Sequence, residues 1–133
     1  MTTAVETLWA DVQAVLAGFA VRLTADDPSL RHQLGRTANE AFSLRAYLAF
    51  RKSADGDEVA VTVDVQNDGS GLVIASDVCA EDGRVIADGP SAVIPLSGAQ
   101  TGDEVALASW LSVFEQFLLN SEQKVRTELA RLS

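Results

Sequence analysis

One cysteine, one histidine and one methionine stand in a chain of 133 residues, and these scarcities close off several kinds of chemistry. A lone Cys79 permits no intramolecular disulfide, the pattern of a reducing compartment. Zinc bound by cysteine and histidine needs more ligands than Cys79 and His32 supply, so no metal is expected. A histidine-activated nucleophile would have to use His32, which lies between Arg31 and Gln33 outside any nucleophile-elbow context. His32 reads instead as an exposed residue of a helical turn. No catalytic residue and no cofactor follow from the sequence.

Basic residues are scarce too, 10 against 19 acids, for a net charge of −9. Between Ser53 and Gln123 the single basic residue is Arg84, against thirteen acids, while most of the arginines lie ahead of that stretch. A surface at negative potential repels phosphates and anionic lipid, so nucleic acid and membrane are not expected partners. A protein or peptide with a basic surface is. The opening segment lacks the early Lys or Arg of a signal peptide, and no run of about 18 apolar residues suggests a membrane span. A cytoplasmic protein is expected.

Two acid- and glycine-rich stretches fail as ion or phosphate loops. The run from Asp64 to Gly69 resembles the start of an EF-hand loop, but the third position is Gln66 and the twelfth is Ala75, without the bidentate carboxylate. The glycines around Ser70 join two extended runs and lack the helix and lysine of a phosphate cradle.

What the chain does contain is enough apolar residue, 47% against 22% charged, for one folded domain over 1–133. Val5, Leu8, Trp9, Val12, Val15, Leu16, Phe19 and Leu23 fall at helical three-and-four spacing, predicting a first helix that ends near Thr24, ahead of Asp27-Pro28. Thr3 and Glu6 match a capping box. Phe42 to Lys52 alternates and is read as a strand, with a short helical turn opened by Asp27-Pro28-Ser29 before it. A two-residue turn at Asp55-Gly56 would put Phe50 opposite Val61, Leu48 opposite Val63 and Ala46 opposite Val65. Glu58 to Gln66 and Leu72 to Ala80 are the next strands. Asp82-Gly83 then turns the chain into a fourth strand, from Arg84 to Asp88, that continues after Gly89-Pro90. From Thr101 the period becomes helical to Leu132, about 45 Å at 1.5 Å per residue, with Thr101 and Glu104 as a capping box.

The expected fold is α+β: an N-terminal helix, an antiparallel four-stranded meander and a long C-terminal helix, both helices packed on one sheet face. The Asp82-Gly83 register pairs Cys79 with Ile86 and gathers Val73, Ala75, Cys79 and Ile86 on the second face. An apolar patch there marks an interface, for a homodimer or a docked peptide. The same register sets Asp77 opposite Asp88, a like-charge pair that suits a shared proton or a cation. The turn signal at Asp88-Gly89-Pro90 favours pairing that has already ended.

A helix, a curved meander and a long closing helix in a small acidic chain resemble the type III secretion chaperone and YbjN-like peptide-binding domains. That resemblance implies a dimeric domain that binds a segment of a partner protein: a non-enzymatic chaperone, adaptor or immunity-type inhibitor. The alternative is a small enzyme or ligand-binding domain with a pocket between sheet and helices, using Asp77, Asp88, Tyr47 or His32.

Overall fold

The computed structural model describes residues 4–38, 43–67, 71–97 and 99–132. Helix α1 (Ala4–Ala25) is followed by strands β1 (Arg31–Ala38), β2 (Ser43–Arg51), β3 (Val59–Asn67), β4 (Gly71–Ala80), β5 (Val85–Asp88) and β6 (Ala92–Pro95), and helix α2 (Gln100–Ala130) closes the chain. The sheet is antiparallel in the order β1-β2-β3-β4-β5, and β6 pairs with β4. Since β6 partners Gly71 to Ile74 and β5 partners Asp77 to Cys79, the two short strands share one edge of β4. They are the expected fourth strand and its continuation, separated by Gly89 and Pro90.

The strand over 31–38 was not anticipated. His32 stands opposite Phe50 and Leu34 opposite Leu48, so the segment after the expected short turn, which by sequence fits a helix or a loop, pairs along its whole length with β2. Its composition is polar and its apolar residues are few, so nothing in its local pattern marks a strand; the edge of β2 provides the partner. Phe42, Thr3 with its capping box, and the loop centre at 68–70 lie outside the described residues.

Alternation decides which side of each strand is buried. Ala46, Leu48 and Phe50 of β2, the valines at 59, 61, 63 and 65 of β3, and Leu72, Ile74 and Val78 of β4 are buried on the helix side. The β2–β3 register is two residues away from the expected one: Phe50 faces Val59, Leu48 faces Val61 and Ala46 faces Val63. A shift of two keeps every side chain on its face, so the core is as expected. It lengthens the turn and brings Arg45 opposite Asp64, where the guanidinium grips the carboxylate at 2.7 and 3.3 Å. Arg51 likewise holds Glu58, at 3.0 and 2.5 Å.

Both helices pack on this one face. Helix α1 lies against β1 and β2, and α2 against β3, β5 and β6. Leu8, Trp9, Val12, Leu16, Phe19, Ala20 and Leu23 form the buried stripe of α1, and Phe19 meets Phe50 edge-on at 6.5 Å. Val5–Ala25 is long and apolar enough to cross a membrane by length and composition, but its stripe is packed on the sheet. In α2, Leu107, Trp110, Phe114, Leu118, Val125 and Leu129 are buried, with Trp110 stacked on Phe114 at 5.2 Å. The indole N–H groups of Trp9 and Trp110 are buried without a hydrogen-bond partner among the described residues.

The helices run in the same direction, as their ion pairs show. Arg22 pairs with Glu122, Arg126 reaches Asp26 at 3.0 Å, and Arg126 also donates to the Arg22 carbonyl at 3.2 Å, filling an acceptor near the end of α1. The expected Thr101–Glu104 box does not cap α2. The N-cap is Ala99, without a side-chain cap, and the buried Asp103 carboxylate accepts from the Ser97 N–H at 2.9 Å and its hydroxyl at 3.0 Å. This ties the first turn to the chain leaving β6, with a negative charge at the positive end of the helix dipole.

Candidate functional site on the open sheet face

With both helices on one side, the other side of the sheet is the functional candidate. Alternation sends Arg45, Tyr47, Ala49 and Arg51 of β2, Ala60, Thr62 and Asp64 of β3, and Val73, Ala75, Asp77 and Cys79 of β4 to this open face. The ladder registers turn these positions into rows. One row is small: Ala49, Ala60 and Cys79 lie side by side. The next is polar and taller: Tyr47, Thr62, Asp77 and Asp88. A small row flanked by taller ones is a trough of about 580 Å³, floored by the two alanines and Cys79 and walled by Tyr47, Arg45, Arg51, Glu58, Asp77 and Glu81.

Gly35 and Tyr47 build one wall together. They are partners across β1 and β2, and the phenol ring fills the place where a Cβ on Gly35 would stand. An edge glycine covered by a cross-strand aromatic keeps its backbone shielded.

The charged groups lining the trough are each engaged within the chain. Arg45 binds Asp64, Arg51 binds Glu58, and the Thr62 hydroxyl donates to Asp77 at 2.7 Å. The Glu58 N–H donates to the Glu81 carboxylate at 3.0 Å, clamping the β4–β5 turn to the start of β3. Partial burial raises the Cys79 thiol above its ordinary range; the charge of Asp77, a hydrogen bond to it and the charge of Asp88 add to this, against a weaker pull from Arg45. A thiol held protonated is a poor nucleophile.

Of the four expected interface residues, three share this face. Val73 and Cys79 are half-buried and Ala75 is exposed. Ile86 does not join them. Val78 pairs with Ala87 and Cys79 with Val85, so Ile86 is the extra residue of a bulge and packs against the core. The turn also differs from the expected two-residue one: the Ala80 N–H bonds the Arg84 carbonyl at 2.9 Å and the Gly83 N–H the Ala80 carbonyl at 3.0 Å, so Glu81, Asp82 and Gly83, the last at φ 86°, form a three-residue loop. The bulge substitutes Val85, 49% exposed, for Ile86 on the open face, and β6 adds Val93, 66% exposed, opposite Val73. Alternation with the buried Ile94 already marked Val93 as outward-facing.

Asp77 and Asp88 do stand opposite one another, and the ladder persists to this pair instead of ending before it. Asp77 is engaged by Thr62 and Asp88 is exposed. Among the described residues, no group of three or more His, Cys, Asp and Glu side chains is placed to hold a metal ion. His32 is exposed in β1 and lies outside the trough, whereas Tyr47 and Asp77 line it. The trough is on the side away from the helices, not between them and the sheet.

The chain matches no family model, no curated protein and no solved structure.

Proposed function

We propose that the chain is a small non-enzymatic protein-binding module, serving as a chaperone, adaptor or immunity-type inhibitor, and that it works as a homodimer joined through the open face of its sheet. The observation that carries this reading is the pairing of Val73 with Val93 and of Cys79 with Val85 on a face that no helix covers. Apolar side chains left on one side of a sheet gain by being covered, at about 25 cal/mol per Å² removed from water.

The two sides of the face differ in charge, which sets how a second copy would lie on it. Arg45 and Arg51 lie toward the β1 side of the face, and Asp77, Asp88 and Glu81 toward the β5 side. A two-fold axis running along the strands would lay the basic half of one copy over the acidic half of the other, with strands nearly aligned as in sheet-on-sheet packing. Arg45, Arg51, Glu58 and Asp77 meet this partner already paired within the chain, which lowers the cost of covering them. The rest of the surface keeps the excess of acid, suited to a partner with a basic surface.

Dilution followed by NMR tests this. Concentration-dependent shifts are expected at Val73, Ala75, Cys79 and Val93; shifts confined to the helices would overturn it. A second reading, a small-ligand site, is favoured by the trough alone. Ala60→Phe would fill it and abolish ligand binding.

A further inference from the structure

The two edges of the sheet are built differently. The β5/β6 edge is two strands of four residues each, interrupted at Gly89 and Pro90 and ending at Pro95. Short strands, a bulge and prolines are the devices that stop an edge from pairing with another chain. Strand β1 has none of these three and is guarded by charge alone: it is eight residues long, contains no proline, pairs with β2 at every residue, and ends the sheet order. Its outer side presents a row of backbone N–H and C=O groups, and no described strand covers it.

The side chains along this edge are basic in an otherwise acidic protein. Arg31 and Arg36 are exposed, and neither has an ion-pair or hydrogen-bond partner among the described residues, whereas Arg22, Arg45, Arg51, Arg84, Arg126 and Arg131 all do. An odd separation puts the two on opposite faces: Arg31 beside Arg51 on the open face, Arg36 beside Ala46 on the helix face. Leu34, 36% exposed, shares the helix face with Arg36. A strand added here would meet a guanidinium on each of its faces, about 17 Å apart at 3.4 Å per residue.

We propose that β1 is a strand-addition site for an extended acidic segment of a partner protein, whose backbone pairs with the β1 edge and whose carboxylates reach Arg31 and Arg36. Main-chain hydrogen bonds supply the affinity of such an addition and the charges its selectivity. A second copy is the poorer occupant, because β1 contains no acid and self-pairing would bring four unneutralised arginines to one seam. The hydrogen-bonding edge of β1 points away from both faces and Arg36 lies on the helix face, so Arg36 reads the addition independently of a dimer through the open face, which only Arg31 adjoins.

The test is an NMR titration of the whole chain with a short valine–threonine peptide carrying two glutamates five positions apart, beside a twin with lysines in their place. The expected result is shifts and slowed amide exchange at alternate residues of β1 with the glutamate peptide only. Added salt should weaken binding, and Arg31→Glu with Arg36→Glu should weaken it at least tenfold. Arg36→Gln alone, on the helix face, should weaken it several-fold and keeps the test valid if the double variant does not fold. Equal binding of the lysine twin, shifts restricted to the trough, or β1 amides already protected in a concentration-dependent way without peptide would each overturn the proposal.

Discussion

Tyr47 lies across β2 onto Gly35 of β1, so that the phenol ring occupies the space a side chain at position 35 would take. Two other glycines are in close contact with different kinds of neighbour. A Cβ on Gly71 would come within 2.5 Å of the Ile94 carbonyl oxygen and 2.9 Å of the Pro95 Cα; one on Gly89 would meet the Ser76 hydroxyl, and Phe117 at 2.9 Å. A ring on an open face can swing aside, but backbone cannot. Gly35→Ala is therefore expected to cost below about 1 kcal/mol, and Gly71→Ala near the top of the roughly 1–3 kcal/mol typical of overpacking, with Gly89→Ala between them. Urea denaturation of the three variants checks the order, and a larger loss at Gly35 than at Gly71 would contradict it.

The buried indole N–H groups of Trp9 and Trp110 have no acceptor among the described residues. Replacing Trp110 by Phe removes an unsatisfied donor worth about 1–3 kcal/mol of desolvation, which offsets the volume lost. Trp110→Phe should change stability by less than about 1 kcal/mol, whereas Phe114→Ala, beside it in the core, should cost about 3–5 kcal/mol. Thermal melts separate the two.

Arg84 binds Glu128 at 3.2 and 2.9 Å, joining the β4–β5 turn to the end of α2. That hydrogen bond and charge hold the Glu128 carboxyl below its ordinary range, against a smaller opposing effect of burial. A carboxyl lowered in the folded state stabilises the fold above its unfolded value, and the contribution is lost as pH falls through the folded one. Wild type should thus exceed Arg84→Gln in stability at pH 7, and the gap should close as pH drops below the ordinary glutamate range. A gap unchanged at acid pH would contradict the pairing.

Cys79 is raised mainly by burial, with Asp77 second. Alkylation at neutral pH should be slower than for the unfolded chain. Asp77→Asn should speed it several-fold without reaching the unfolded rate. Because the folded thiol titrates above the unfolded one, its contribution to stability is complete below the unfolded value and declines as pH rises through the folded value. Fast alkylation of the native protein, unaffected by Asp77→Asn, would remove this account of the site.

Elements with a strong period were legible in the sequence. The stripes of α1 and α2 and the alternating valines of β3 identify the buried faces, because burial imposes one side per turn or per residue pair. Strand β1 was not legible, because Arg31, His32, Gln33 and Arg36 show no apolar alternation and the segment is a strand only by pairing with β2. The β2–β3 register was legible in its parity and not in its offset: the apolar faces agree at either, and the Arg45–Asp64 and Arg51–Glu58 pairs distinguish them. At the candidate site, Val73, Ala75 and Cys79 followed from alternation. Ile86 did not, since the bulge after Val78 reverses its side, and a bulge leaves no mark in the hydrophobic pattern.

Sedimentation equilibrium of the wild type beside Val73→Glu and Val93→Glu is the direct test of a dimer through the open face. The wild type is predicted to approach twice the 14.1 kDa of one chain as concentration rises, and each variant to remain at one chain while keeping its fold by circular dichroism. A wild type that stays at one chain at every concentration, or variants that dimerise as well as it does, would contradict the claim.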